Sequence, residues 1–187
     1  VREKPNGWCL GEWSTPNNII EIPASLVNTA YFYHVTCIVA DIANVLNKHT
    51  DEKNLRLLAQ TIKKNFNTAF YNETTHHYWE GKQGANTLAL AFGLVPEGKH
   101  EEVFAALLEL LKKTNYHFDT GILATPLLLK VLTENGRTDL AYRLMNQRDF
   151  PGYGYLADKK NNTLWETWSG DGNEEGCGHC HPMFGSV

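Results

Sequence analysis

Apolar residues recur at three- and four-residue steps through most of the 187-residue chain, and that period restricts the fold to helices packed on helices. From Pro23, the positions Val27, Tyr31, Val35, Ile38, Ile42 and Leu46 line one helical face. Pro23 suits a first turn, where its missing N–H has no partner to lose. A second helix is capped by Thr50 and carries Leu55, Leu58, Ala59, Ile62, Phe66, Ala69 and Phe70. A third runs from about Ala85 to Phe92 and stops at Gly93; a fourth presents Val103, Phe104, Leu107, Leu108 and Leu111. The fifth spans Gly121 to Glu134, with Pro126 near its start, and the sixth follows Thr138 with Leu140, Ala141, Leu144 and Met145. Tyr153-Gly154-Tyr155-Leu156 and Thr163-Leu164-Trp165 flank the polar Lys159-Lys160-Asn161-Asn162 and read as a short β-hairpin near the C-terminus. A seventh helix starts near Pro182.

Short connections favour antiparallel neighbours, so the odd-numbered helices begin at one end of the layer and the even-numbered ones at the other. Asn47-Lys48-His49-Thr50, Pro96-Glu97-Gly98-Lys99 and Asn135-Gly136-Arg137-Thr138 precede the even helices as plain polar turns. The odd helices are preceded by longer segments around Trp8 and Trp13, His76 to Glu80, Tyr116 to Thr120, and Trp165 to His181. All five Trp and five of the eight His lie in them. Aromatic and titratable groups gathered at one end of a rigid layer are what a binding cleft needs.

A net charge of −4 without a basic stripe gives nucleic acid no footprint. No membrane span is expected, because Asp41 interrupts the richest apolar helix. Cys9, Cys37, Cys177 and Cys180 are too few and too uneven for a disulfide scaffold. They leave the compartment undetermined, a periplasmic or extracellular setting being compatible with them. Val1 is not an initiator Met and Val187 follows directly on a helix start, so the chain reads as cut at both ends.

Within the cleft segments, Thr163-Leu164-Trp165-Glu166-Thr167-Trp168 sets a carboxylate between two indoles. Indole faces suit the C–H face of a sugar, and Glu166 can take a proton from water as a general base; alternatively it is a structural acceptor. Glu12 and Trp13 are a second pairing, with Trp13 either stacked on sugar or packed in a core. His181 can donate to a hydroxyl or a neighbouring carboxylate, and His117 and Asp119 either contact substrate or cap the fifth helix through Asp119 and Thr120. Cys177-Gly178-His179-Cys180-His181 contains zinc-type ligands, but adjacent residues rarely converge on one ion, and no metal or cofactor is expected.

Gly11-Glu12-Trp13, Val27-Asn28-Thr29-Ala30-Tyr31-Phe32-Tyr33, Gln83-Gly84-Ala85-Asn86-Thr87-Leu88-Ala89-Leu90, Thr120-Gly121-Ile122-Leu123-Ala124-Thr125-Pro126, Thr163-Leu164-Trp165-Glu166 and His181-Pro182-Met183-Phe184-Gly185 together resemble bacterial α-L-rhamnosidases, glycoside hydrolase family 78. The resemblance implies an all-α fold of antiparallel hairpins forming part of an (α/α)6 toroid, with residues 1–187 as one partial catalytic domain. It implies an inverting hydrolase acting on rhamnose-containing glycosides. Glu166 matches its general base, Trp13 an aromatic contact to the sugar and His181 a sugar-contacting imidazole; Glu12, Trp165 and His117 are further candidates for substrate binding. The family usually has Gly-Asp-Trp where this chain has Glu12. Its general acid lies upstream of the matching region, so the isolated chain is expected to turn over little and, with inner faces uncovered, to self-associate. The rivals are a non-catalytic hairpin scaffold or glycan-binding module, and a toroid lyase using Tyr and His.

Overall fold

The computed structural model describes residues 11–17, 19, 21–159, 163–169 and 178–185. Six helices form three antiparallel hairpins: α1 (Ala24–Val45) with α2 (His49–Phe70), α3 (Gln83–Ala91) with α4 (His100–Lys113), and α5 (Ala124–Glu134) with α6 (Thr138–Met145). The odd helices also touch one another, α1 against α3 and α3 against α5, making an inner row backed by an outer one. Burial follows from that order: every residue from Gln83 to Leu90 of the central α3 is buried, whereas α2 buries only Ala59, Ile62 and Phe66.

The turns out of the odd helices close as the sequence predicts. Gly93 and Gly136 take φ of +70° and +72°, a left-handed conformation that costs glycine little. The residue after each then donates to the helix, Leu94 N to Ala89 O at 2.9 Å and Arg137 N to Leu132 O at 2.8 Å, satisfying carbonyls that the helix leaves open. Asn47 does the same for α1, with φ of 57° and Lys48 N bonded to Ala43 O at 2.8 Å. Acidic Glu101 and Glu102 in the first turn of α4, and Lys112 and Lys113 in its last, match the helix dipole.

Two strand assignments change. The hairpin expected around Lys159 to Asn162 is not formed: Tyr153–Asp158 is a helix, α7, while residues 160–162 lie outside the described part. Leu164 and Glu166 instead run beside 178–181, with Glu166 N bonded to Gly178 O at 2.9 Å and His181 N to Leu164 O at 2.8 Å. The one sheet among the described residues pairs β1 (Tyr71–Asn72) antiparallel with β2 (His77–Tyr78). Buried Asn86 pins it by accepting from Tyr78 N at 2.9 Å. The helix expected near Pro182 is a single 3-10 turn, Pro182–Gly185.

Asp41 does not disqualify α1 as sequence alone suggested: its 22 residues include an 18-residue stretch of mean hydropathy 1.2, long and apolar enough to cross a bilayer. Its packing is that of a hairpin arm, lying along α2 with Leu26, Val27 and Ala30 in the common core.

Candidate active site

Trp13, Glu166 and His181, which lie far apart in the chain, meet at the end of the layer where the odd helices begin. The Trp13 indole N–H donates to Glu166 Oε1 over 3.4 Å, a long hydrogen bond. The other carboxylate oxygen, Oε2, accepts Gly178 N at 2.9 Å. A Cβ on Gly178 would meet Glu166 Oε2 at 3.2 Å and His181 Cδ2 at 3.6 Å, so Gly178 permits this approach and His181 lies beside the carboxylate. Glu166 and His181 are both half-buried, and the buried His181 Nδ1 has no hydrogen-bond partner among the described residues.

The indole that touches Glu166 is therefore not one of its sequence neighbours. Trp168 is buried, stacks on Phe118 with centroids 5.1 Å apart and donates to Thr120 O at 3.1 Å. It is the root that fixes the Glu166 segment against the approach to α5. Trp165 stacks on His179 at 4.2 Å and 13°. Thr163 Oγ1 also bonds to His179 O, holding the same two segments together.

Glu12 sits beneath this group with no solvent exposure. Its Oε1 accepts Ala124 N at 3.0 Å at the start of α5, and Oε2 has no partner among the described residues. Burial raises its pKa to about 7, against the pull of backbone N–H groups at Ala124, Gly121 and Leu123. That proton affinity would suit a general acid, but a sealed side chain cannot reach a leaving group, so Glu12 is a helix-binding carboxylate and not a direct sugar contact.

His117 and Asp119 line a separate cavity of about 390 Å³ with Thr15, Glu21 and Phe150; Glu166 is not among its lining residues. His117 Nδ1 lies 3.1 Å from Thr114 O. Asp119 caps α3 and not α5, its Oδ2 lying 3.5 Å from Gln83 N while Asp119 N donates to Gln83 Oε1 at 3.2 Å. Burial raises the Asp119 pKa to about 6. Among the described residues no cluster of His, Cys, Asp or Glu could hold a metal; Cys177 lies outside them. Gly178 and Gln83 were missed as site-building residues, because one acts through its backbone and the other through the loop of a distant helix.

Residues 2–187 match the family described as the bacterial alpha-L-rhamnosidase six-hairpin glycosidase domain. The chain belongs to that family. It is 37% identical over 163 residues to an alpha-L-rhamnosidase of Streptomyces avermitilis, covering 84% of this chain and 15% of the relative. A Formosa agariphila alpha-L-rhamnosidase is 33% identical over 172 residues, covering 89% and 19%. Among solved structures, the S. avermitilis enzyme complexed with L-rhamnose superposes with a TM-score of 0.85 at 35% identity, over 95% of this chain and 17% of that one. The alpha-L-rhamnosidase from Dictyoglumus thermophilum gives 0.85 at 38% identity, over 95% and 20%. The rhamnosidase-like chain thus spans under a quarter of the length of these relatives, and its three helical hairpins fit the six-hairpin fold.

Proposed function

We propose that residues 1–187 are part of the catalytic toroid of an inverting α-L-rhamnosidase, with Glu166 as the general base and the general acid on residues outside this range. The observation that carries this is a half-buried carboxylate with one N–H donor on each oxygen, from Trp13 and Gly178, beside the His181 ring. Two donors fix the direction of the carboxylate and leave each oxygen a lone pair for water. Glu166 takes a proton from that water as it attacks the anomeric carbon, on the face opposite the departing oxygen, and the sugar is released inverted.

Trp13, Trp165 and His181 bind the glycoside in this proposal, the indoles through flat apolar faces and the imidazole through hydroxyls, while His117, in its separate cavity, stands outside this group. The complex of the S. avermitilis relative with L-rhamnose supports terminal α-L-rhamnose as the group removed. In the longer protein, Glu166→Gln should lower kcat on an aryl α-L-rhamnoside by about 10²- to 10⁴-fold while sugar binding persists. Proton NMR of the wild-type reaction should show β-L-rhamnose as the first anomer released. Full turnover by Glu166→Gln would instead make these hairpins a scaffold that takes no part in the chemistry.

A further inference from the structure

Glu12 is sealed from solvent, yet it is joined to Glu166 by a short chain of contacts. Its Oε1 accepts Ala124 N at 3.0 Å, fastening the Gly11–Trp13 segment to the start of α5. One residue on, Trp13 O accepts Ile122 N at 2.9 Å, so the same segment is tied to the α5 approach at a second point. The approach is tight: a Cβ on Gly121 would meet Trp13 O at 2.1 Å and Glu12 Oε1 at 3.1 Å. The backbone of Trp13 is thereby immobilised, and its indole reaches across to Glu166 Oε1. That last contact is long at 3.4 Å, so a small rotation of the 11–13 segment breaks it.

We infer that Glu12 is a positioning residue for the reaction, a clamp on α5 that sets the Trp13 indole and, through it, the direction of Glu166. The charged and titratable groups facing it are Asp119, on the approach to α5, and Tyr31 of α1; each interacts with Glu12 electrostatically, and neither is hydrogen-bonded to it. The working part of Glu12 is an acceptor of the right length, not a charge delivered to substrate.

Taking Glu166 as the base, the test is a double-mutant cycle in the longer protein, read as kcat/KM on an aryl α-L-rhamnoside and normalised to folded protein by circular dichroism. Glu12→Ala should cost about tenfold or more in the wild-type background and less than about threefold in a Trp13→Phe background, because the indole N–H it positions is already gone. A merely structural Glu12 would cost the same factor in both backgrounds, and that additivity would overturn the inference. Glu12→Gln keeps the acceptor for Ala124 N and should stay within about threefold of wild type; a folded Glu12→Gln that loses more than tenfold would equally overturn it. If Glu12→Ala does not fold, Glu12→Asp, one methylene shorter, takes its place in the cycle. Should Glu166→Gln prove fully active, the general-base proposal fails on its own, whatever the cycle gives.

Discussion

Glu12 holds a proton that the unfolded chain releases. Its folded pKa is about 7 against an ordinary 4.5, raised by burial. Between those values the native state binds more protons than the unfolded state, so this contribution to stability is full below about pH 4.5, is lost as pH rises towards 7, and is level above. Asp119, at about 6, acts in the same sense over a lower window. Glu12→Gln removes the first effect without changing shape. Wild type should therefore lose on the order of 3 kcal/mol more than Glu12→Gln between pH 4.5 and 7.5, since each tenfold difference in proton affinity between folded and unfolded chain is worth about 1.4 kcal/mol. Parallel curves of melting temperature against pH for the two proteins would contradict this. At the same scale, the role proposed for Glu166 starts from a carboxylate amid aromatics in the sequence, but its indole partner is not legible there. Trp165 and Trp168 are its sequence neighbours, yet one stacks on His179 and the other anchors the core, and only the fold brings Trp13 across.

Among the elements, helices with several turns announced themselves by period, and their turns by Gly93, Gly136 and Asn47. Short pieces did not. Tyr153–Asp158 has six residues, too few for a 3.6-residue period to show, and its alternating aromatics mimic a strand. Tertiary contacts decide it: Tyr153 packs edge-on to Trp168, and its hydroxyl donates to Phe184 O at 2.6 Å. The approach between the Gly11–Trp13 segment and α5 was likewise invisible, because it depends on the missing side chain of Gly121. There an added Cβ would strike a backbone carbonyl, which no rotamer can move aside. Gly121→Ala is expected to cost about 1–3 kcal/mol by overpacking and to lower kcat/KM in the longer protein, since Trp13 must shift. Gly93→Ala is the control: nothing lies within 4 Å of its added methyl, so it should cost only about 1 kcal/mol of left-handed strain and leave kcat/KM unchanged. Equal effects of the two on kcat/KM would show that the close approach at Gly121 is not what holds Trp13.

For the molecule as a whole, the inner row of helices is unevenly covered. Helix α3 lies between α1 and α5 and is buried along its length, whereas α1 has α3 on one side and, among the described residues, no inner helix on the other. The period that defined α1 in the sequence placed Val35, Ile38 and Ile42 on an apolar face, and that face is open: they are 51%, 43% and 50% exposed, with Phe32 and Val39 beside them at 45% and 41%. Exposed apolar residues scattered singly need no explanation, but five on one helix form a contiguous stripe of the kind that water drives into contact with another surface. In a solution of this chain a second copy offers such a stripe a surface to cover it, so sedimentation velocity should show association that grows with concentration. Replacing Val35 and Ile42 together by Lys should restore the monomer without loss of helicity, because both side chains already face solvent and neither fills the core. A wild-type chain that stays monomeric at every concentration, or a double-Lys variant that associates as strongly, would mean that α1 is not the surface that seeks cover.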